Sequence, residues 1–379
     1  CVTGVAPIDP GTGLSVFGQA VMMGLIQVGG LGITSIGVMV IMSAGGKISM
    51  GNQKLAKESL NLNSGKGLKN VIKSVAHVTV AFEFGGAVCS FITFYGDFSP
   101  EKAVWLSCFH SIAAFNNAGF DLLGDFKSLT DYHADAWLCC STSGLIIFGG
   151  LGFFVIKELI SGKTPRKWSL HTKVVITMTV ALIIGGTLFR KSTEGGDISW
   201  LEAYFQSVSS RTAGFASISM GNLSKAGLMV IMLLMFIGAS SGSTGGGIKT
   251  TTMFILVKKA VSTVFNGNCT AYKREIPENV VTKSFMVFLL AIAVIFIGTF
   301  AVCMMEPDFT FEQILFEVVS GFSTTGFSTG ITPELCDGSK VVLSAAMFTG
   351  RVGPLTLATI WLSRAKPQIS YSQEEINIG

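Results

Sequence analysis

Trp200-Leu201-Glu202-Ala203-Tyr204-Phe205-Gln206-Ser207-Val208-Ser209-Ser210 is an aromatic segment too short to cross a bilayer. It runs directly into the polar turn Arg211-Thr212-Ala213-Gly214-Phe215. Two other stretches share this build. Trp105 to Phe115 leads into Asn116-Asn117-Ala118-Gly119-Phe120, and Phe311 to Phe322 leads into Ser323-Thr324-Thr325-Gly326-Phe327. The opening Cys1-Val2-Thr3-Gly4-Val5 matches the end of the same pattern. The four glycines lie 115, 95 and 112 residues apart. One signature at so long a period marks repeated units. Each unit is expected to be a span, a short re-entrant helix, a polar loop and a second span. The boundaries fall at 1–66 for an incomplete first unit, then 67–165, 166–278 and 279–379.

Around these segments the chain is built for lipid. Of 379 residues, 49% are hydrophobic and only 13% charged, with a mean hydropathy of +0.58. A soluble domain carries about 25% charged residues, so half that density cannot solvate a surface enclosing this much apolar chain. Composition therefore excludes a soluble enzyme, a disordered protein, a coiled coil and a disulfide scaffold. Stretches free of Asp, Glu, Lys and Arg run 10–46, 136–156, 174–189, 226–248 and 284–305. Two more are interrupted by one charge each, 74–96 by Glu83 and 341–363 by Arg351. A helix needs about 20 apolar residues to span the hydrocarbon core. Seven spans follow, in an all-α integral membrane protein. The eight cysteines form no CxxC pair and read as buried thiols, not a metal site.

Loop charge sets the orientation. The 47–73 loop holds six Lys and one acid, whereas 97–135 holds six acids and two Lys; 157–173 and 249–283 are basic, and 306–340 is acidic. Lys and Arg accumulate on the cytoplasmic side. The basic loops and the C-terminal tail are thus expected inside, and the Gly-Phe turns outside. With no initiator Met and an outside N-terminus, one further helix is expected upstream.

Non-helical backbone at membrane depth is tolerated only where protein buries it or it lines water. Four such turns can converge on one axis, where rings of carbonyls replace the hydration shell of a monovalent cation. The C-terminal ends of the short helices carry partial negative charge that favours a cation there. The expected filter residues are Val2, Thr3 and Gly4; Asn116, Asn117, Ala118 and Gly119; Thr212, Ala213 and Gly214; and Thr324, Thr325 and Gly326.

On these turns, and on Gln27-Val28-Gly29-Gly30-Leu31-Gly32 and the tail Tyr371 to Gly379, the chain resembles the membrane subunit of the Ktr/Trk/HKT superfamily of potassium transporters, the Ktr branch most of all. The resemblance spans essentially the whole chain. It implies four pseudo-repeats around one pore and potassium as the transported ion, because Gly4 stands where Ser accompanies sodium permeation in plant relatives. It further implies a homodimer in the plasma membrane, sodium stimulation, and a cytosolic ring of nucleotide-binding subunits on the basic loops. The chain needs no cofactor of its own and has no expected nucleic-acid partner. A Trk-type cation channel with a different regulatory subunit is the neighbouring alternative.

Gly238-Ala239-Ser240-Ser241-Gly242-Ser243-Thr244-Gly245-Gly246-Gly247 interrupts the span beginning at 226. Each Gly costs about 1 kcal/mol against Ala in a helix, so this stretch is expected to be a loop in a watery vestibule. The family has an intramembrane gating loop here, which implies gating roles for Gly238, Gly242, Gly245, Gly246 and Gly247. Lys249, just after it, reads equally as a snorkelling side chain or part of the gate. Arg351 costs about 2.5–3.5 kcal/mol at mid-span and must face water or a partner. Its partners are either carbonyls of this loop or Glu83. Two decoys lie here. Gly238 to Gly242 matches the G-x-S-x-G elbow, which would make Ser240 the nucleophile of an intramembrane hydrolase, but that motif needs a strand-turn-helix context. Gly242 to Lys249 resembles a P-loop whose inserted residue moves the lysine off the phosphate.

Overall fold

The computed structural model describes residues 1–32, 68–196, 198–265 and 267–356. The loop at 47–73 up to residue 67, the later part of the 10–46 span, and everything from 357 on, including the tail, lie outside the described residues.

A single helical turn, Pro10–Gly13, precedes α1 (Val16–Leu31). Then come α2 (Leu68–Asp97), α3 (Pro100–Phe115), α4 (Ala136–Leu151) and α5 (Phe153–Ile160). The chain continues with α6 (Leu170–Glu194), α7 (Trp200–Ser209), α8 (Lys225–Phe236) and α9 (Thr250–Val264). It closes with α10 (Glu278–Met305), α11 (Phe311–Ser323) and α12 (Asp337–Val352). The described strand is one small hairpin, Thr270–Ala271 with Arg274–Glu275.

The three short aromatic segments are helices α3, α7 and α11, and their starts are written in the sequence. Ser199 and Glu202 form a reciprocal capping box at α7, as do Thr310 and Gln313 at α11. At α3, Pro100 occupies the first turn, where its missing N–H costs nothing. Each short helix is sheltered by the long helix before it, and α3 and α11 also by the helix after. Thus α2 and α4 pack on α3, α6 packs on α7, and α10 and α12 pack on α11. Successive units touch in a constant way, through α1 on α3, α4 on α7, and α8 on α11. The core is therefore the set of short helices. Phe115, Phe205, Phe215, Phe316, Phe322 and Phe327 are all buried there.

The long helices turn apolar side chains outward instead. Phe84, Val88 and Ile92 on α2, Ile184 and Leu188 on α6, and Phe296 and Phe300 on α10 are exposed. A helix apolar all round with its outer face bare is suited to lipid. Among the described residues three helices are long and apolar enough to span, on α2, α6 and α10, and a fourth span is possible if the bent pair α4–α5 counts as one.

The second span of the third unit is interrupted as expected, whereas in the other units the helix ends at a glycine that was not expected to stop it. α4 ends at Gly152, and α5 leaves at 104° to it. α1 ends at Gly32 and α12 at Gly353, each glycine with a positive φ like that of Gly152. α8 ends at Phe236 and α9 begins at Thr250, with the Gly-rich stretch between them. A left-handed residue cannot continue a right-handed helix, so the chain must turn there.

Candidate ion pathway

The four Gly-Phe turns meet. Gly4, Gly119, Gly214 and Gly326 all have positive φ. A Cβ on any one of them would strike the next turn round. From Gly4 it would lie 2.8 Å from the Ala118 carbonyl oxygen, and from Gly119 it would run into the Ala213 carbonyl. From Gly214 it would run into the Thr325 carbonyl, and from Gly326 it would lie 3.0 Å from the Thr3 carbonyl. The contacts close into a ring of four segments drawn from both ends of the chain. In three turns the residue two before the glycine (Val2, Asn117, Thr324) is also left-handed, while Thr3, Ala118 and Thr325 between them are not. Such alternation aims successive carbonyls to one side, the arrangement that cation coordination by backbone requires. Thr212 is the exception, with no positive φ.

Polar side chains fasten the ring from behind. The Ser320 hydroxyl accepts from Gly326 N–H at 3.1 Å, and the Ser209 hydroxyl donates to the Phe215 carbonyl at 2.7 Å. Asn117 and Thr212 pair across two turns at 2.8 Å. Glu317 on α11 is buried and accepts from the Ser328 hydroxyl at 2.7 Å, Thr329 N–H at 2.9 Å and the Thr332 hydroxyl at 2.8 Å. It staples the chain beyond the fourth turn to the helix before it. Asn116 does not join the ring: it caps α3, and its side chain reaches Gln27 and Glu83.

The Gly238–Gly247 stretch lies directly beneath. Its base closes through a parallel bridge between Ile237 and Ile248. Its backbone is satisfied by neighbours, as buried backbone must be. Ser240 N–H donates to the Gly150 carbonyl at 3.0 Å, and Thr244 N–H to the Gly149 carbonyl at 3.2 Å. Gly246 N–H donates to the Thr324 hydroxyl at 3.0 Å. A Cβ on Gly245 would come within 2.8 Å of the Thr212 hydroxyl oxygen, so the loop abuts the third and fourth turns.

Two cations hold this loop. Lys249 donates from Nζ to the carbonyls of Gly245 at 2.8 Å and Gly246 at 3.3 Å, so its ammonium is turned inward. Arg351 donates to the Thr244 carbonyl, to the Gly29 carbonyl, and to the Gly30 carbonyl at 2.8 Å. One guanidinium thus joins α12, the loop and the end of α1. Glu83 takes the other two partners, Gln27 at 3.2 Å and Asn116 at 2.9 Å, and none of the described ion pairs uses it. The Ser240 hydroxyl pairs with Thr250 at 3.1 Å, which gives it a structural tie inside the loop.

The sequence carries a further repeat. Gly29-Gly30-Leu31-Gly32, Gly149-Gly150-Leu151-Gly152 and Gly350-Arg351-Val352-Gly353 are the same motif. The last glycine breaks each helix. Earlier ones admit close packing: a Cβ on Gly149 would run into the Phe115 carbonyl, and one on Gly350 into the Phe322 carbonyl.

This is the architecture of a membrane transport protein, a ring of backbone turns at the centre of packed helices with a pinned loop below. The family model for the cation transport protein TrkH matches residues 1–189 and 168–373. The chain belongs to that family, as a Ktr/Trk pore subunit and not an enzyme. It is 34% identical to Ktr system potassium uptake protein B of Bacillus subtilis and 36% identical to potassium/sodium uptake protein NtpJ of Enterococcus hirae. In both cases the match covers all of this chain and 87% of the relative. The fold is similar to the crystal structure of the potassium transporter TrkH from Vibrio parahaemolyticus. The TM-score is 0.74 at 17% identity, over 95% of this chain and 75% of that one.

Proposed function

We propose that the chain conducts potassium across the plasma membrane through the ring around Gly4, Gly119, Gly214 and Gly326. The Gly238–Gly247 loop, held by Lys249 and Arg351, forms the gate. The observation that carries this is the closed circuit of glycine-to-carbonyl contacts. Backbone carbonyls held at fixed spacing replace the water around a cation without any covalent step. Gly242 and Gly247, with positive φ, give the loop its turns; Gly238 lets its base close against Gly246, and Gly245 and Gly246 let it approach the ring. The names of the relatives, potassium uptake in one and potassium/sodium uptake in the other, support potassium as cargo with sodium as a second ion. The four units 1–66, 67–165, 166–278 and 279–379 are pseudo-repeats in this account.

By family membership we extend the proposal to a homodimer with one pathway per protomer and to a cytosolic nucleotide-binding ring docked on the basic loops. The basic loops and tail then face the cytoplasm. The chain itself carries no nucleotide role; ligand control comes through that partner. Reconstitution in liposomes tests the core of this. Rubidium-86 uptake should be blocked by potassium far better than by sodium, and equal block by the two ions would overturn potassium selectivity.

A further inference from the structure

Glu83 stands in the middle of α2 among the apolar residues Phe82 and Phe84, without a cationic partner among the described ion pairs. A lone carboxylate at that depth is costly unless charge compensates it. Its two carboxylate oxygens accept from neutral amides, Gln27 Nε2 at 3.2 Å and Asn116 Nδ2 at 2.9 Å, and both amides bring oxygens of their own. The Asn116 Nδ2 amide has three acceptors at 2.9 Å: a Glu83 carboxylate oxygen, Gln27 Oε1 and the Ile112 carbonyl. An amide nitrogen has two hydrogens for these three acceptors. On the other side of the same amide, Asn116 Oδ1 is buried with no hydrogen-bond partner, and Asn116 itself is 0% exposed. An oversubscribed donor beside an orphaned acceptor marks a group that lacks something.

We propose that Glu83, Gln27, Asn116 and the Ile112 carbonyl form a second monovalent-cation site, apart from the ring, that takes sodium. Rotating the Asn116 amide by half a turn brings its orphaned oxygen to the three acceptors and gathers four oxygens, one of them charged. Hard oxygen donors with a single negative charge suit an alkali cation, and the cation supplies the missing countercharge. The site is wired to the pathway on two sides. Asn116 immediately precedes the ring residue Asn117, and Gln27 lies two residues before Gly29, whose carbonyl Arg351 holds. A cation here would fix the C-terminal end of α3 and with it the second turn. This deepens the pathway reading and rests on it for any effect on flux; the binding does not.

The test is thermal unfolding of the purified full-length protein, with choline keeping ionic strength constant. Potassium is first raised to saturation, and sodium is then titrated in place of choline. Saturable further stabilisation by sodium is expected in the wild type, since a ligand bound only by the folded state raises its midpoint. In Glu83→Gln the apparent sodium affinity should fall by about tenfold or more. Stabilisation by potassium with no further gain from sodium would overturn the site and leave the pathway standing. So would a sodium response unchanged in Glu83→Gln. A wild-type gain that follows acidification and ignores sodium would make the group a proton site and also overturn the proposal. Absence of stabilisation by potassium would instead count against the pathway. Should Glu83→Gln fail to fold, Gln27→Leu serves in its place: a weakened sodium response supports the site, and an unchanged one overturns it.

Discussion

Gly326 and Gly4 face each other from opposite ends of the chain, close enough that a Cβ on Gly326 would lie 2.7 Å from the Gly4 α-carbon. This contact closes the ring. Without the first turn, the other three would leave one side of the axis open. The turn at Val2 to Gly4 therefore completes a centre that the other three turns do not close alone.

Arg351 is the strongest tie on the loop below. Hydrogen bonds to a charged group contribute about 1.5–3 kcal/mol each, and this guanidinium makes them to the Thr244, Gly29 and Gly30 carbonyls. Arg351→Gln should free the loop and raise the initial rate of rubidium uptake into liposomes by about tenfold, the factor that 1.4 kcal/mol provides. Unchanged flux would show that the loop does not limit permeation.

Lys249 holds the same loop from the other flank, at Gly245 and Gly246. Lys249→Met keeps the stem and removes the donors. It should raise uptake less than Arg351→Gln, because Lys249 ties the loop to itself and not to α1. The two effects should be non-additive in the double variant, since both act on one loop. Fully additive rates would place the two cations in separate steps.

Glu317 is a staple, and its removal should be read in stability. Glu317→Ala removes the acceptor of Thr329 N–H and of the Ser328 and Thr332 hydroxyls, which keep only their 3.0 Å contact with each other. A loss of about 3 kcal/mol is expected. Glu317→Gln, which keeps two acceptor lone pairs and the shape, should lose less. Thermal denaturation of the purified protein decides the order of the three.

Helix glycines divide by what lies above them. Gly350→Ala would drive a methyl into the Phe322 carbonyl, and Gly149→Ala into the Phe115 carbonyl. Each should cost about 1–3 kcal/mol as overpacking. Gly144 sits on the same helix as Gly149 with nothing within 4 Å of an added Cβ, so Gly144→Ala should be neutral or slightly stabilising. Equal midpoints for the three would refute the close packing.

The sequence showed the ring more clearly than the helices around it. Gly119, Gly214 and Gly326 stand out because each closes a polar turn that follows an aromatic segment, and Cys1 to Val5 matches the end of that pattern at Gly4. The loop at 238–247 was legible for a similar reason, its glycine density being incompatible with a helix. The breaks at Gly32, Gly152 and Gly353 were hidden. Leu31, Leu151 and Val352 keep those stretches apolar, so hydropathy reads each as one span. Only alignment of the three G-x-x-G segments with one another exposes the breaks. The partners of Arg351 and Glu83 were a choice between two pairings. Which helices touch decides it, and hydropathy carries no information about neighbours. The Asn116 side chain turned from the ring for a related reason. As the residue capping α3 it lies one position before the left-handed Asn117, and so faces Glu83 instead of the axis.

The central claim is that backbone at the four glycines selects the ion, and Gly214→Ser tests it most directly. A side chain there meets the Thr325 carbonyl and must displace one segment of the ring. In proteoliposomes of the full-length chain, the variant should retain rubidium uptake while the preference for potassium over sodium as competitor falls by about tenfold or more. Retained uptake with an unaltered preference would contradict the account, because the selecting backbone would then lie elsewhere.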